Sequence, residues 1–200
     1  SNFKNFAKNI DANTIKLGID AIDKKVRITT GMLVAFLAAP GAGKSSAAFG
    51  ILNTLSNSGE KAMFFSMDMG ADQVFQRLIQ RHTNHQSDTI LDAYATDKKH
   101  IVEDYEQKLS ENYKNIKFCF KTSMTPEMIR AIVEQEFLTT GSYPKMILLD
   151  YLECIRTEVA DPTQSKAIAA LALKDIANEF GINVFLLTQP TKLAGGPAGE

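Results

Sequence analysis

Apolar residues along this chain gather in short runs, which are separated by longer stretches with polar and charged positions. Most of the runs are nearly continuous in apolar residues, whereas a strand with one solvent-facing side alternates apolar and polar positions. Continuous runs of this length are typical of strands that are covered on both faces. The sequence therefore predicts five buried strands, over residues 32–38, 61–67, 116–120, 145–150 and 183–188.

The stretches between these strands have the spacing of helices. Thr125 followed by Pro126 is a typical helix start, because threonine caps the free N–H groups and proline tolerates the first helical position. Gly181 is expected to end the last helix, since glycine readily adopts the left-handed conformation found there. The predicted helices cover residues 44–57, 71–83, 98–113, 125–137 and 165–181.

The alternation of strands with helices predicts an α/β fold, in which a mostly parallel sheet is flanked by helices on both faces. Residues 31–200 are expected to form this core, and residues 1–30 an N-terminal linker that leads into it. The polar residues 156–165 are predicted to form an exposed loop. Residues 191–200, rich in glycine, alanine and proline, are predicted to be a flexible loop or the place where the chain has been cut.

The composition favours one soluble, intracellular domain. The chain has 200 residues, of which 44% are hydrophobic, which is enough for a single core. No stretch approaches the roughly 20 apolar residues of a membrane helix, and the first residues lack the apolar core of a signal peptide. Cys119 and Cys154 are expected to be free thiols, and His82 and His85 to lie at a helix end rather than on a metal. The net charge of −1 means that any contact with nucleic acid has to be local.

One loop carries a recognisable chemistry. Residues 38–46, AAPGAGKSS, fit the phosphate-binding pattern G-x-x-x-x-G-K-[ST], with Ala38 in place of the first glycine. Backbone N–H groups and the start of the following helix bind phosphate in such loops. Lys44 is expected to reach the β- and γ-phosphates, and the Ser45 hydroxyl to be a ligand of Mg²⁺. The predicted nucleotide site comprises Pro40, Gly41, Ala42, Gly43, Lys44, Ser45 and Ser46.

Polar residues end the other strands, at the sheet edge where open α/β folds bind ligands. Asp150 follows an apolar run and is expected to hold Mg²⁺ through water. Hydrolysis also needs a carboxylate that orients or deprotonates the attacking water. Asp68 is the first candidate because of its place at a strand end, and Glu153 is the second. Gln189 has an amide that is placed to sense the γ-phosphate.

Four stretches, in this order along the chain, resemble the RecA-like ATPase domain of DnaB-type replicative DNA helicases. They are AAPGAGKSS (38–46), MFFSMDMGADQVFQRLI (63–79), MILLDYLECI (146–155) and NVFLLTQPTK (183–192). The two middle stretches are the more specific, because a great many NTPases share the phosphate loop. The resemblance covers nearly the whole chain and implies a RecA-like P-loop NTPase core that uses ATP and Mg²⁺.

The resemblance implies a role for each matching position. Lys44 and Ser45 match the phosphate-loop pair, and Asp150 matches the metal-coordinating aspartate. Asp68 falls on the catalytic glutamate of the family, and Gln189 on the glutamine that couples nucleotide state to the DNA-binding loops. Arg77 falls on an arginine of the family pattern, for which the resemblance suggests no more than a salt bridge.

The resemblance also implies partners. It places the strand that ends at Gln189 between the strands that end near Lys44 and Asp150. The loop after Gln189, with Lys192, matches a channel loop that touches single-stranded DNA, and a hexameric ring multiplies such contacts. Primase and a helicase loader are further expected partners, and no membrane is involved. The expected location is the cytoplasm of a bacterium or of a phage-infected host cell.

Three departures from the family pattern leave other classes open. Asp68 is one methylene shorter than the family's glutamate, and Glu153 stands where the family has an uncharged amide. The family's domain continues with further strands and an arginine finger, so the chain is expected to be truncated after Glu200. A RecA/RadA-type recombinase or a KaiC-like ATPase is one alternative. A nucleotide-gated accessory protein that is not a motor is another.

Overall fold

A sheet in which all neighbouring strands are parallel lies at the centre of the fold. The computed structural model describes residues 2–8, 10, 14–39 and 41–189. In chain order the strands are β1 (Thr14–Ile15), β2 (Ile28–Thr29), β3 (Leu33–Leu37), β4 (Ala62–Ser66), β5 (Ile116–Phe120), β6 (Met146–Asp150) and β7 (Asn183–Thr188). The helices are α1 (Asn2–Lys8), α2 (Asp20–Asp23), α3 (Lys44–Asn57), α4 (Ala71–Thr83), α5 (Ser87–Ala95), α6 (Lys99–Tyr113), α7 (Pro126–Thr140) and α8 (Pro162–Phe180). A 3₁₀ turn, Leu152–Cys154, follows β6.

The strand order of the main sheet is β3-β7-β6-β4-β5, and β1 and β2 form a separate antiparallel pair. Leu37 at the end of β3 is opposite Thr188 in β7. Asp150 at the end of β6 is opposite Leu187 on one side and Ser66 on the other. Four strand ends therefore meet at one edge of the sheet. This order confirms the α/β class and the predicted place of the last strand between β3 and β6.

The hydrophobic core has two halves, one on each face of the sheet. Phe64, Leu148 and Phe185 pack into the half that also holds α3 and part of α4. Their direct neighbours in the chain point the other way, into the half that holds α7 and α8; these neighbours are Phe65, Leu149 and Leu186. Because successive side chains of a strand face opposite sides, two covered faces require an apolar residue at every position. Each such side chain stabilises the fold by about 1.5–3 kcal/mol.

The sequence places most elements correctly. The five predicted strands are present within one residue at either end, and the predicted helix starts at residues 44 and 71 are confirmed. Thr125 caps α7, since its Oγ1 accepts a hydrogen bond from the Met128 amide at 3.3 Å. Gly181 follows α8 in the left-handed conformation, with φ of 63°.

The predicted loop over residues 156–165 is wrong in its second half. Helix α8 begins at Pro162, three residues before the predicted start at 165. The Asp161 carboxylate accepts a hydrogen bond from the Gln164 amide at 2.7 Å and so caps the helix. An aspartate followed by proline is a helix start as well as a turn signal, and here the helix prevails.

Several short elements lie outside the predicted set, among them α1, α2, α5, the pair of β1 and β2, and the 3₁₀ turn. Helix α5 has only Ile90 and Ala93 buried, which is too few to give a readable helical period. Strands β1 and β2 contain two residues each, Thr14–Ile15 and Ile28–Thr29. No helix in the described ranges combines the length and the apolar character that a membrane span requires.

The side chains of His82 and His85 each contact a tyrosine hydroxyl. His82 lies in the last turn of α4, where its Nε2 is 3.0 Å from the Tyr113 hydroxyl, and His85 has its Nδ1 2.7 Å from the Tyr105 hydroxyl. Burial and the positive charges of neighbouring side chains lower the pKa of His82. Both cysteines are free thiols, as predicted.

Candidate nucleotide-binding site

The phosphate loop connects the end of β3 to the start of α3. Gly41 and Gly43 have φ of 75° and 84°, a conformation that residues with a Cβ rarely adopt. A Cβ at either position meets no atom within 4 Å, so the backbone conformation and not a lack of space demands glycine. Gly43 is the residue before α3, which directs the free N–H groups of the first helical turn toward the loop. Pro40 lies outside the described residues.

Lys44 is the first residue of α3, and only 8% of it is exposed. Its Nζ donates hydrogen bonds to the carbonyl oxygens of Ala38 and Ala39, at 3.0 and 3.1 Å. The ammonium group is thus held inside the loop by neutral acceptors of the loop itself. A phosphate oxygen carries charge and is a stronger acceptor for an ammonium group than a carbonyl. This arrangement suits a lysine that binds phosphate.

Ser45 and Asp150 meet across the start of α3 and the end of β6. The Ser45 hydroxyl donates to Asp150 Oδ2 at 2.9 Å, and Asp150 is only 4% exposed. Hydroxyl and carboxylate oxygens are the ligands that Mg²⁺ prefers, and Mg²⁺ takes its other ligands from phosphate and water. The described residues contain no cluster of three or more acidic, histidine or cysteine side chains suited to a metal. The pair therefore fits a magnesium ion that arrives with a nucleotide.

Burial raises the pKa of Asp150, and the nearby charge of Asp68 raises it further. The hydrogen bond from Ser45 and the positive charges of Lys44 and Arg77 oppose this rise without cancelling it. Burial, the largest cause, therefore disfavours the charged form of Asp150 in the protein alone. A divalent cation beside the carboxylate would favour the charged form.

Asp68 lies in the short turn between β4 and α4 and is exposed. Two hydrogen bonds fix this turn, one to the end of β6 and one between the end of β4 and the turn itself. The Met67 amide donates to the Asp150 carbonyl at 2.8 Å, and the buried Ser66 hydroxyl donates to the Met69 carbonyl at 2.7 Å. Ser66 is a positioning residue that the sequence analysis missed, although a serine at the end of an otherwise apolar strand is a visible signal.

Gln189 directly follows β7 and lies beside the phosphate loop. The Ala38 amide, at the start of that loop, donates to the Thr188 carbonyl at 3.3 Å. Glu153 lies at the same strand end. Its Oε1 accepts hydrogen bonds from the Thr188 hydroxyl at 2.8 Å and from the backbone N–H of Gln189 at 3.1 Å. The Lys166 ammonium is 3.1 Å from the same oxygen.

The pKa of Glu153 is lowered, in contrast to that of Asp150. Burial acts to raise the pKa of Glu153, but the hydrogen bonds from the Gln189 amide, the Thr188 hydroxyl and Lys166 outweigh it. The structure thus places Lys44, Ser45, Asp150 and Asp68 at one edge of the sheet. It also pairs Glu153 with the backbone of Gln189, a contact that the sequence pattern does not predict.

One further arginine lies against the helix that begins at the phosphate loop. Arg81 Nη1 donates to the Ser46 carbonyl at 3.4 Å. A Cβ added at Gly50 would lie 3.1 Å from Arg81 Nη2, so the glycine lets the guanidinium approach α3 closely. The sequence signal for this contact is a glycine inside a helix.

A phosphate loop, a serine hydrogen-bonded to a buried aspartate and a parallel sheet of this order define a P-loop NTPase with a RecA-like fold. The model of the DnaB-like helicase C-terminal domain family matches residues 14–194. The chain belongs to this family. None of the curated proteins compared with the chain is significantly similar to it in sequence.

Solved structures agree with this assignment at the level of the fold. The structure described as the ATPase domain of G40P superposes with a TM-score of 0.82 at 19% identity, over 96% of this chain and 69% of that chain. A DnaB-like replicative helicase, studied together with its interactions with primase, gives a TM-score of 0.77 at 18% identity. That match covers 96% of this chain and 47% of the helicase chain, so this chain spans about half of the helicase's length.

Proposed function

We propose that this chain is the ATPase motor domain of a replicative DNA helicase, which couples hydrolysis of Mg²⁺-bound ATP to translocation along single-stranded DNA. The observation that carries the proposal is the contact of 2.9 Å between Ser45 and Asp150 beside a buried Lys44, in a chain of the DnaB-like helicase family. The family supports a replicative helicase role for the domain in general, and the geometry supports nucleotide chemistry at this edge of the sheet.

In the proposed site, each residue of the phosphate-loop side has one task. Lys44 leaves the Ala38 and Ala39 carbonyls and binds the β- and γ-phosphate oxygens. Ser45 and Asp150 hold the magnesium ion, which neutralises charge on the phosphates when it is bound. The N–H groups of residues 41–46 bind the remaining phosphate oxygens.

Asp68 is the proposed base that orients or deprotonates the attacking water. It is exposed at the edge where the nucleotide binds, and its charge is one of the causes that raise the pKa of Asp150. The turn that carries it is tied to β6 through the Met67 amide. Aspartate is shorter than glutamate by one methylene, and this fixed turn determines how close its carboxylate comes to the γ-phosphate.

Gln189 is the proposed sensor of the γ-phosphate, and the segment that follows it, with Lys192, is the proposed contact to single-stranded DNA. That segment lies outside the described residues. A ring of six copies repeats the contact, which lets a chain with a net charge of −1 bind the DNA backbone. Primase is a proposed partner because a helicase of similar fold interacts with primase; a helicase loader is another.

The test is ATP hydrolysis by this chain with and without single-stranded DNA, compared with Lys44→Ala. We expect DNA to stimulate the wild-type turnover and Lys44→Ala to lower it at least about a hundredfold, because one charged phosphate donor is lost. A forked duplex then tests unwinding. ATP binding with slow, DNA-independent hydrolysis contradicts the motor and supports a nucleotide-gated accessory protein, and filaments on DNA support a recombinase.

A further inference from the structure

Glu153 joins three segments of the chain that are distant in sequence. It belongs to the 3₁₀ turn after β6, and its Oε1 accepts hydrogen bonds from the Thr188 hydroxyl and the Gln189 amide, both at the end of β7. Lys166, which pairs with the same oxygen at 3.1 Å, lies in the second turn of α8. A single carboxylate oxygen therefore ties the end of one strand to the start of a helix.

Two of these segments, the 3₁₀ turn and the start of α8, flank one loop. The loop over residues 156–161 leaves the 3₁₀ turn, and its first residue is fixed because the Arg156 amide donates to the Met124 carbonyl at 2.8 Å. The loop ends where α8 begins, one turn before Lys166. Glu153 thus lies between the base of the loop over 156–161 and the end of β7, where the Thr188 carbonyl accepts from the Ala38 amide of the phosphate loop.

The same contacts do not suit a general base. A base must reach the attacking water with a free oxygen, yet Glu153 Oε1 already accepts from three donors. Its Oε2 is buried and has no hydrogen-bond partner among the described residues. Neither oxygen of Glu153 is therefore both free and exposed, and the donors on Oε1 lower the pKa of the carboxyl group against the opposing effect of burial.

We propose that Glu153 is a positioning residue that holds Gln189 beside the phosphate loop and links it to the base of the loop over residues 156–161. This proposal rests on the proposed function and refines it. It assigns to Glu153 the coupling of the nucleotide sensor Gln189 to the loop over residues 156–161, and no part in the hydrolysis step. Replacement by glutamine keeps an acceptor oxygen for the Thr188 and Gln189 donors. Replacement by alanine removes it.

The first test measures hydrogen exchange of the backbone amide of Gln189 by NMR, which needs no enzymatic activity. We expect Glu153→Ala to speed exchange of this amide about tenfold or more, because a hydrogen bond to a charged group is lost. Glu153→Gln is expected to change it less than about threefold. The Met67 amide, which donates to the Asp150 carbonyl, is the internal control for global stability. Equal protection of Gln189 in wild type and Glu153→Ala overturns the proposal, even if the chain proves not to be an ATPase.

The second test is the turnover at saturating single-stranded DNA. We expect Glu153→Ala to lower kcat about tenfold with KM for ATP changed less than about twofold, and Glu153→Gln to keep at least about half of the wild-type kcat. If Glu153 were the general base, the result would be the opposite. Glutamine cannot accept a proton, so the kcat of Glu153→Gln would fall about a hundredfold or more. Should the alanine variant fail to fold, the glutamine variant decides between the two roles by itself.

Discussion

Asp150 and Glu153 stand three residues apart, at the end of β6 and in the turn that follows, and the protein treats their carboxylates in opposite ways. Burial dominates at Asp150, which accepts a hydrogen bond from Ser45 alone among the described side chains, and its pKa is raised. Glu153 is also partly buried, but three donors converge on one of its oxygens and its pKa is lowered.

These two environments distinguish a carboxylate that is suited to bind a cation from one that holds the fold together. A buried carboxylate that the protein leaves short of positive charge is ready to receive a cation from outside. A carboxylate that already accepts hydrogen bonds from several segments of the protein holds those segments together. This is why we propose that Asp150 binds a cation and that Glu153 holds segments of the fold together, even though both are acidic residues of one short stretch.

The largest expected effect is that of Asp150→Asn on hydrolysis. Loss of the anionic magnesium ligand is expected to lower kcat on the order of a thousandfold, because a metal ion stabilises the transition state by several kcal/mol. The melting temperature should stay equal or rise, since a neutral amide avoids the cost of burying a charge and still accepts from Ser45. Steady-state kinetics and thermal unfolding check the two halves. A variant that melts well below wild type would make Asp150 a structural carboxylate like Glu153.

The next effect is that of Asp68→Asn, with Asp68→Glu as its matched control. The asparagine variant is expected to lose on the order of a hundredfold in kcat or more, as for loss of a general base. The glutamate variant is expected to be at least as active as wild type, because the longer side chain reaches the position that the family's glutamate takes. Single-turnover hydrolysis is the measurement. Full activity of Asp68→Asn, together with an inactive Glu153→Gln, would exchange the roles of the two residues.

A smaller effect concerns the acid stability that Glu153 confers. Its pKa is lower in the folded chain than the ordinary value of 4.5, so the unfolded chain binds the proton more tightly. The stabilisation is therefore complete above about pH 4.5 and is lost as the pH falls through the lowered value. Urea unfolding of wild type and Glu153→Gln between pH 7 and pH 3 should show two curves that converge on the acid side. A constant difference over this range would mean that the charge of Glu153 contributes nothing.

The sequence is sufficient to predict those parts of the site that depend on the backbone pattern alone. Lys44, Ser45 and Asp150 are predictable because a phosphate loop and strand ends bring them to one edge, whatever the side chains around them do. The central strands β4, β6 and β7 are predictable for the same reason, since they are buried on both faces. The prediction of a buried strand is wrong for β3 and β5, which lie at the two edges of the sheet and are only partly buried.

The role of Glu153 is not predictable in this way. Its partners at positions 166, 188 and 189 are distant in sequence, and only the packing of the 3₁₀ turn against β7 and α8 brings them together. Helix α5 escapes prediction because two buried residues carry no period, and the early start of α8 because Asp161 and Pro162 fit a turn equally well. A local sequence pattern therefore does not predict a feature that depends on contacts between residues distant in sequence.

The smallest expected effect separates the ion pair of Glu153 from its hydrogen bonds. Lys166→Gln removes the charge but leaves the Thr188 and Gln189 donors, and the Lys166 side chain is 28% exposed. A partly exposed ion pair contributes about 0.5 kcal/mol, which corresponds to a fall of about 1–2 °C in the melting temperature of a domain of this size. Lys24→Gln is the control, because its pair with Asp20 is far more exposed, and we expect no measurable change there. Thermal unfolding at low salt and in 1 M salt checks the origin of the effect, since salt screens a charge pair and spares neutral hydrogen bonds. A fall of more than about 5 °C that persists in 1 M salt would show that Lys166 stabilises α8 by packing. The link from Glu153 to the base of the loop over residues 156–161 would then depend on the aliphatic part of the lysine and not on its charge.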